Sequence, residues 1–211
     1  MGLFQNKPDE TDQVPIYTIG SNKTILIIGL GNPGKEYSQT RHNIGFEVLD
    51  SFAQKNDFPG WQIKKDLKSQ LTIRSLGENR VILCKPTTFM NSSGEAVQAL
   101  QKFYRVYNQG TLAVYDELAV PFGSLRTRLG GSDAGHNGVK SLIQHLGEDF
   151  GRLRIGVGSD LSQKADAAEF VLGKFSKKEQ ADLQKVIQEA NAMVTEFIFS
   201  GNLPHETRTV L

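Results

Sequence analysis

The chain has 211 residues, 38% hydrophobic and 22% charged, which suits a soluble globular protein of one domain with a sizeable core, or at most two small ones. No apolar stretch nears the roughly 20 residues that span a bilayer, so no membrane partner is expected. The formal net charge of +1 excludes a domain-wide basic surface, so any nucleic-acid contact must come from a local patch.

Residues 1–22 are polar, include Lys7-Pro-Asp-Glu-Thr-Asp12 and lack clear periodicity. They read as a disordered extension ahead of a single domain over residues 23–211. They contain no signal-peptide core, and their acidic residues argue against an organelle transit peptide, so the cytoplasm is the expected compartment.

The first predicted strand is Ile25-Leu-Ile-Ile28, followed by Gly29-Leu-Gly-Asn-Pro-Gly34. That loop matches G-x-G-x-x-G, and Asp50 lies at a dinucleotide-like distance. The fingerprint, however, needs a helix that opens within the loop. Here the helical stripe Gly45, Val48, Leu49, Phe52 and Ala53 begins only near Asn43. No nucleotide cofactor is therefore expected. Thr40-Arg-His-Asn43 sets His42 just before that helix.

Leu71 to Leu76 and Arg80 to Cys84 flank Gly77-Glu-Asn79 and predict an antiparallel hairpin. Cys84, the single cysteine, sits in an apolar run and reads as a buried inert thiol. Lys85-Pro-Thr-Thr-Phe-Met-Asn91 follows. Ser92-Ser-Gly-Glu95 fits a capping box, with Ala96, Val97, Leu100, Phe103 and Tyr104 on the apolar face behind it. Asn91 then stands at a helix N-terminus, where backbone N–H groups are free. The next strand, Leu112-Ala-Val-Tyr115, leads into Asp116-Glu-Leu118. The glycine-rich loop from Gly130 to Gly138 runs into a helix that ends at Gly147. Arg152 to Val157 is a further strand. Ser176-Lys-Lys-Glu179 is a second capping box, opening a long helix that ends near Gly201. The sum is an α/β fold: one three-layer domain, with a mixed, mostly parallel twisted sheet flanked by helices.

Open α/β sheets bind ligands outside the carboxyl ends of their strands. Asn32, Asn91 and Asp116 are all expected at or just past such ends. The same rule brings His42 and Asp116 to one rim, where a carboxylate fixes the imidazole tautomer and makes a better general base. Alternatively, Asp116 caps a turn over residues 116–121. His136 and Asn137 supply directional donors and acceptors within the glycine-rich loop. His145 and His205 lack such a context and read as surface residues. Arg126, Arg128, Lys140, Arg152 and Arg154 together suggest a phosphate patch. Tyr37 and Phe89, in rim loops, are placed to stack on a base or sugar. No Cys/His spacing resembles a zinc site, and no Ser or Cys stands in an activating motif. Side-chain amides, one His–Asp pair and no metal point to water attack on an activated carbonyl.

Four segments together resemble bacterial-type peptidyl-tRNA hydrolase. They are Gly29 to Tyr37 with Thr40 to Gly45; Lys85 to Gly94; Asp116-Glu-Leu118; and Gly135 to Lys140 with Arg152 to Gly158. The resemblance runs from about Thr24 almost to the C-terminus. It implies a monomeric cytoplasmic enzyme, without metal or cofactor, that cleaves the ester joining a peptide to the 3′ ribose of tRNA. Such cleavage recycles tRNA from aborted translation. It implies His42 as general base, Asp116 as its support, and Asn32 as the residue that distinguishes peptidyl-tRNA from free aminoacyl-tRNA. Tyr37, Phe89, Asn91 and Asn137 would contact substrate, Met90 and His136 would line the pocket, and Arg128 and Arg154 would grip a tRNA phosphate. The chain departs from the family pattern at Ser132-Asp-Ala134, where glycine is usual, and in Ser159 to Gln163, which lacks Pro and Gly. The alternative is a non-catalytic RNA-binding homologue resembling plant organelle intron-splicing factors.

Overall fold

A computed structural model of the chain describes residues 23–159 and 166–211. The N-terminal extension and most of the segment after Ser159 lie outside the described residues. In chain order the elements are β1 (Thr24–Gly29), α1 (Ile44–Lys55), β2 (Gln62–Lys64), β3 (Ser69–Leu76), β4 (Asn79–Pro86) and α2 (Ser93–Tyr104). There follow β5 (Thr111–Pro121), β6 (Ser124–Leu129), α3 (Asn137–Leu146), β7 (Gly151–Gly158), α4 (Ala167–Leu172), α5 (Lys177–Ser200) and β8 (Thr207–Thr209).

The strands form one sheet in the order β2-β3-β4-β1-β5-β7-β6-β8. Pairings among β4, β1, β5 and β7 are parallel. The pairings β2–β3, β3–β4, β6–β7 and β6–β8 are antiparallel. The sheet is thus mixed, as expected, but parallel only at its centre. Alternation along the strands builds two cores. Ile25, Ile27, Val81, Leu83 and Val114 face α1 and α5. Leu26, Ile28, Ile82, Cys84 and Ala113 face α2 and α3. That period-2 division across a covered sheet is the three-layer arrangement. Cys84 is fully buried, and burial pushes its thiol up to about 12. It is inert, as its apolar run implied.

Two glycines bring α1 against the sheet. A Cβ on Gly29 would lie 2.4 Å from the Gly45 carbonyl oxygen, and one on Gly45 would lie 2.4 Å from that of Val114. Only glycine permits this approach. It sets the start of α1, and His42 before it, beside β5. The Gly29–Gly34 loop opens no long helix: a 3-10 turn over Lys35–Tyr37 follows, and α1 begins at Ile44. The dinucleotide reading fails for that reason.

Three local expectations are corrected. First, β5 does not end at Tyr115. It runs through Asp116 to Pro121, with its register on β7 shifting between Glu117 and Pro121. Asp116 is a strand residue, and the turn-cap alternative is removed. Second, the capping box at Ser92 is not formed, and no side chain caps α2. A 3-10 turn over Met90–Ser92 feeds this helix instead, and Ser141 Oγ on α3 accepts the Gly94 N–H at 3.0 Å. Glu95 turns outward to Lys68. A tertiary partner has replaced the local cap. The Ser176–Glu179 box does form. Third, β2, β6, β8 and α4 are present without having been expected.

Candidate active site

A cleft of about 550 Å³ opens past the ends of β1 and β4, beside Asp116, Glu117 and Leu118 within β5. Of the predicted site residues, Asn32, His42, Phe89, Met90, Asn91, Asp116, His136 and Asn137 line it. The parallel register explains why. Ile28 lies beside Cys84, and Gly29 beside Val114, so the loops after β1 and β4 leave the sheet next to Asp116.

Asp116 is 3% exposed and is shared by two imidazoles. His42 Nδ1 lies 2.9 and 3.1 Å from its two oxygens. His136 Nε2 lies 3.1 Å from Oδ1. The tautomers follow from the other contacts. His136 Nδ1 accepts the Gly138 and Val139 N–H groups at 3.1 and 3.2 Å, capping α3. Its lone pair is used there, so the proton sits on Nε2 and is donated to Asp116. His42 likewise donates Nδ1–H to the carboxylate, which leaves its Nε2 lone pair for the cleft. Burial alone raises the Asp116 pKa, but the electrostatic attraction and N–H hydrogen bond of His136, and then those of His42, outweigh it. The carboxyl is held well below the usual range. The Tyr115 ring meets His136 edge-on at 4.9 Å between centroids and braces it from the sheet side.

Ligating atoms of His42, Asp116 and His136 lie within 4.8 Å of one another, the spacing of a metal site. A metal on His136 Nε2 would take its proton while Nδ1 still accepts two N–H groups. The ring would have to become an imidazolate. The hydrogen bonds therefore favour a proton at this position.

Asn32 is fixed from both sides. Its N–H donates to Asn43 Oδ1 at 2.9 Å, and Asn43 Nδ2 donates back to the Asn32 carbonyl at 3.0 Å. Its Oδ1 accepts the Met90 N–H at 2.8 Å. The side chain thus joins the β1 and β4 loops with its Oδ1 and leaves its Nδ2 donor for a ligand. Asn91 and Asn137 are exposed at the starts of α2 and α3. Phe89 stands 57% exposed on the rim. Tyr37 does not line the cleft but meets Phe89 edge-on, 6.3 Å between centroids.

One wall was not foreseen. Ala167, Ala168, Val171 and Leu172 of α4 face His42 across the cleft. Arg41, 6% exposed, holds that wall in place. Its N–H donates to the Gly173 carbonyl at 3.0 Å and its Nη1 to that of Lys174 at 2.7 Å. Its Nη2 pairs with Glu179 at 2.8 Å, and its guanidinium lies 4.2 Å over the Phe170 ring. Arg41 and Asn43, on either side of His42, are thus positioning residues. Their only sequence signal was a place in Thr40-Arg-His-Asn43.

Arg128 and Arg154 lie elsewhere, in a groove of about 330 Å³ shared with Arg126 and His205. Arg126 is directly opposite Arg154 across β6 and β7. Like charges so placed repel and favour an anion between them. Glu117 is the nearest counter-charge, its Oε2 3.8 Å from Arg154 Nη1. His205 is exposed, as expected, and its Nε2 accepts the Leu129 N–H at 3.3 Å. Arg152 leaves the patch. It is 2% exposed, donates to the Gly131 and Ser132 carbonyls, and shapes the glycine-rich loop from beneath. Asp133 shapes the same loop by accepting the Gly135 N–H at 2.7 Å.

Residues 26–210 match a family model described as peptidyl-tRNA hydrolase. The peptidyl-tRNA hydrolase of Listeria welshimeri is 42% identical over 173 residues, covering 82% of this chain and 92% of that one. That of Clostridium perfringens is 43% identical over 176 residues, covering 82% and 90%. The crystal structure of peptidyl-tRNA hydrolase from Acinetobacter baumannii superposes with a TM-score of 0.77 at 34% identity, covering 86% of this chain and 92% of that one.

Proposed function

The chain belongs to the peptidyl-tRNA hydrolase family, and on that premise we propose how the cleft performs the reaction. The enzyme hydrolyses the ester between a peptide and the 3′ ribose of tRNA. His42 Nε2 takes a proton from water as the water attacks the ester carbonyl, and later returns it to the departing ribose oxygen. Asp116 holds Nδ1–H and stabilises the imidazolium formed on the way. His136, fixed as a neutral donor, keeps Asp116 in place and does not compete for the proton. The observation that carries this reading is the sharing of one buried carboxylate by two imidazoles, only one of which has a free lone pair.

The developing oxyanion needs donors that carry no charge to desolvate. Asn91 and Asn137, at two helix starts facing the cleft, are suited to that task. Asn32 offers only Nδ2–H, so it donates to a carbonyl oxygen of the peptide. A free aminoacyl-tRNA would present an ammonium there, a second donor against a donor, and both would go unpaired. Met90 and His136 shape the floor, and Phe89 with Tyr37 behind it offers a ring to the terminal nucleoside. Arg128 and Arg154 take a tRNA phosphate. The hydrogen bonding of the His–Asp–His group supports chemistry without a metal or other cofactor.

None of the described helices is long and apolar enough to cross a membrane. With a substrate made by ribosomes, that supports action in the cytoplasm. A purely RNA-binding role has no observation in its favour, since the base keeps a free lone pair in an open cleft. Incubation with N-acetyl-aminoacyl-tRNA tests the proposal. Ester cleavage that persists in chelator and is abolished by His42→Ala is expected. Cleavage unchanged by that substitution would remove His42 from the mechanism.

A further inference from the structure

The sheet lays three features out in a row. The arginine groove lies on β6 and β7, and the cleft lies between β5 and β1. A second cavity of about 390 Å³ lies beyond β1, over the ends of β4 and β3. Asn32 lines both this cavity and the cleft, so the two spaces meet at this residue.

The cavity has a charge pattern of its own. Glu47 and Asp50, one turn apart on α1, point into it, with Gln70 and Lys85 opposite. Lys85 is already committed. Its Nζ lies 2.5 Å from Asp50 Oδ1 and 4.1 Å over the Trp61 ring centroid. That leaves Glu47 without a counter-ion. Its Oε1 is buried with no hydrogen-bond partner among the described residues. Burial, and then the charge of Asp50, push the carboxyl up to about 7. A buried carboxyl without a partner is costly, and a ligand bearing a cation beside it offsets that cost.

We propose that this second cavity receives the peptide arm of the substrate, and that Glu47 favours a basic side chain on the residue preceding the esterified one. The inference rests on the reading of the cleft given above. With the tRNA phosphates on β6 and β7 and the scissile ester at His42, the acyl group must continue away from the groove, past Asn32. Asn32 holds the carbonyl nearest the ester, so the next residue along the peptide enters the cavity behind it. The outer lip, Gly34, Ser38 and Gln39, leaves room for the chain to run on into solvent. Phe46 and Pro86 line the approach and suit the methylene stem of a lysine, whose ammonium then meets Glu47.

The test compares three N-acetylated dipeptidyl-tRNAs that differ only in the first residue, Lys, Ala or Glu, each esterified through phenylalanine. Blocking the amino terminus removes its charge, so any effect belongs to the side chain. The parent should cleave the Lys substrate with a kcat/KM at least about fivefold above the Glu substrate, mostly through KM, as expected of a partly buried ion pair. Glu47→Gln, which keeps the shape, should bring the two within about twofold, and Glu47→Lys should reverse the order. A parent that cleaves N-acetyl-Phe-tRNA yet treats all three dipeptides alike would overturn this inference and leave the cleft reading standing. A Lys preference unchanged in Glu47→Gln would overturn it too. Failure on N-acetyl-Phe-tRNA itself would instead count against the cleft reading.

Discussion

The cleft and the arginine groove treat charge in opposite ways. In the cleft the charge beside the base, Asp116, is buried and answered by two N–H donors from fixed rings. In the groove Arg126 and Arg154 face each other across two strands, with Glu117 only loosely paired to Arg154 and Glu206 on the lining already paired to Arg208. The first arrangement is complete without a ligand, so its geometry is set before substrate arrives. The second is left electrostatically incomplete, and an anion completes it. Chemistry needs preorganisation, whereas capture of a polyanion needs charge that the protein has not already neutralised. The contrast predicts that damage to the cleft shows in kcat and damage to the groove shows in KM and salt dependence.

The largest effect should come from His42→Ala. Loss of a general base typically costs about 10²–10⁴-fold in rate. Because the groove is a separate structure, tRNA affinity should stay within about twofold of the parent, as expected for additive distant sites. A filter-binding titration beside single-turnover kinetics reads both. A parallel fall in affinity would join the two regions that the structure keeps apart.

Asp116→Asn comes next. The two imidazole N–H groups both point at this side chain, and an amide accepts through one atom only. Its NH₂ group would then face one ring, and if that ring is His42 the proton moves to Nε2 and the base is lost. A fall in kcat of about 10²-fold or more, with KM nearly unchanged, is expected. The same substitution has a signature in acid. The folded-state pKa of Asp116 is depressed, so the carboxylate adds stability above the unfolded value of about 4, and that stability is lost as pH falls toward the folded value. The parent's melting temperature should therefore drop below pH 4 by more than that of Asp116→Asn. Parallel curves would mean that the network contributes nothing to the fold.

The sequence made part of this contrast legible. The strands with continuous apolar runs, β1, β4 and β5, were readable because buried parallel strands need such runs; β7 instead alternates Leu153, Ile155 and Val157 with arginine and glycine. The short edge strands β2 and β8 have three residues each and exist through their pairing partners. In β6, Ser-Leu-Arg-Thr-Arg-Leu carries arginines that end up opposite arginines, a pairing that local pattern would not suggest. His42 and Asp116 could be placed together because the crevice rule depends on strand ends. The bond from His136 to the same carboxylate could not, since a glycine-rich loop leaves its path open. Arg41 looked like any basic residue, and its role emerged only once Gly173, Lys174 and Glu179 stood around it. Arg152 misled in the opposite direction: grouped by charge, it belongs by burial to the loop.

Asn32→Ala should disturb selection more than rate. The substitution removes the Nδ2 donor and also the tie to the Met90 N–H. The ratio of kcat/KM for N-acetyl-aminoacyl-tRNA over free aminoacyl-tRNA should fall about tenfold or more, as when a site built for one hydrogen bond loses it. Asn43→Ala should give a weaker version of the same fall, because it frees the Asn32 backbone without deleting the donor. An unchanged ratio in both variants would mean that the pair does not read the peptide.

The smallest effects, and the finest test of the contrast, lie within the groove. Arg128 is exposed and has no carboxylate partner among the described ion pairs, whereas Arg154 lies 3.8 Å from Glu117. A phosphate bound at Arg128 therefore meets a full charge, and one bound at Arg154 meets a charge partly shared. Each arginine that releases a counterion contributes a slope of roughly 0.7–0.9 to log affinity against log salt. Arg128→Ala should lose about that full amount, and Arg154→Ala visibly less. Glu117→Gln should move the other way, steepening the slope by freeing Arg154. Because Glu117 also lines the cleft, that variant is best judged by binding alone and not by turnover. Equal losses from the two arginines, with no change on removing the Glu117 charge, would show that the 3.8 Å pair does not divide the groove's charge and that both guanidiniums meet the tRNA on equal terms.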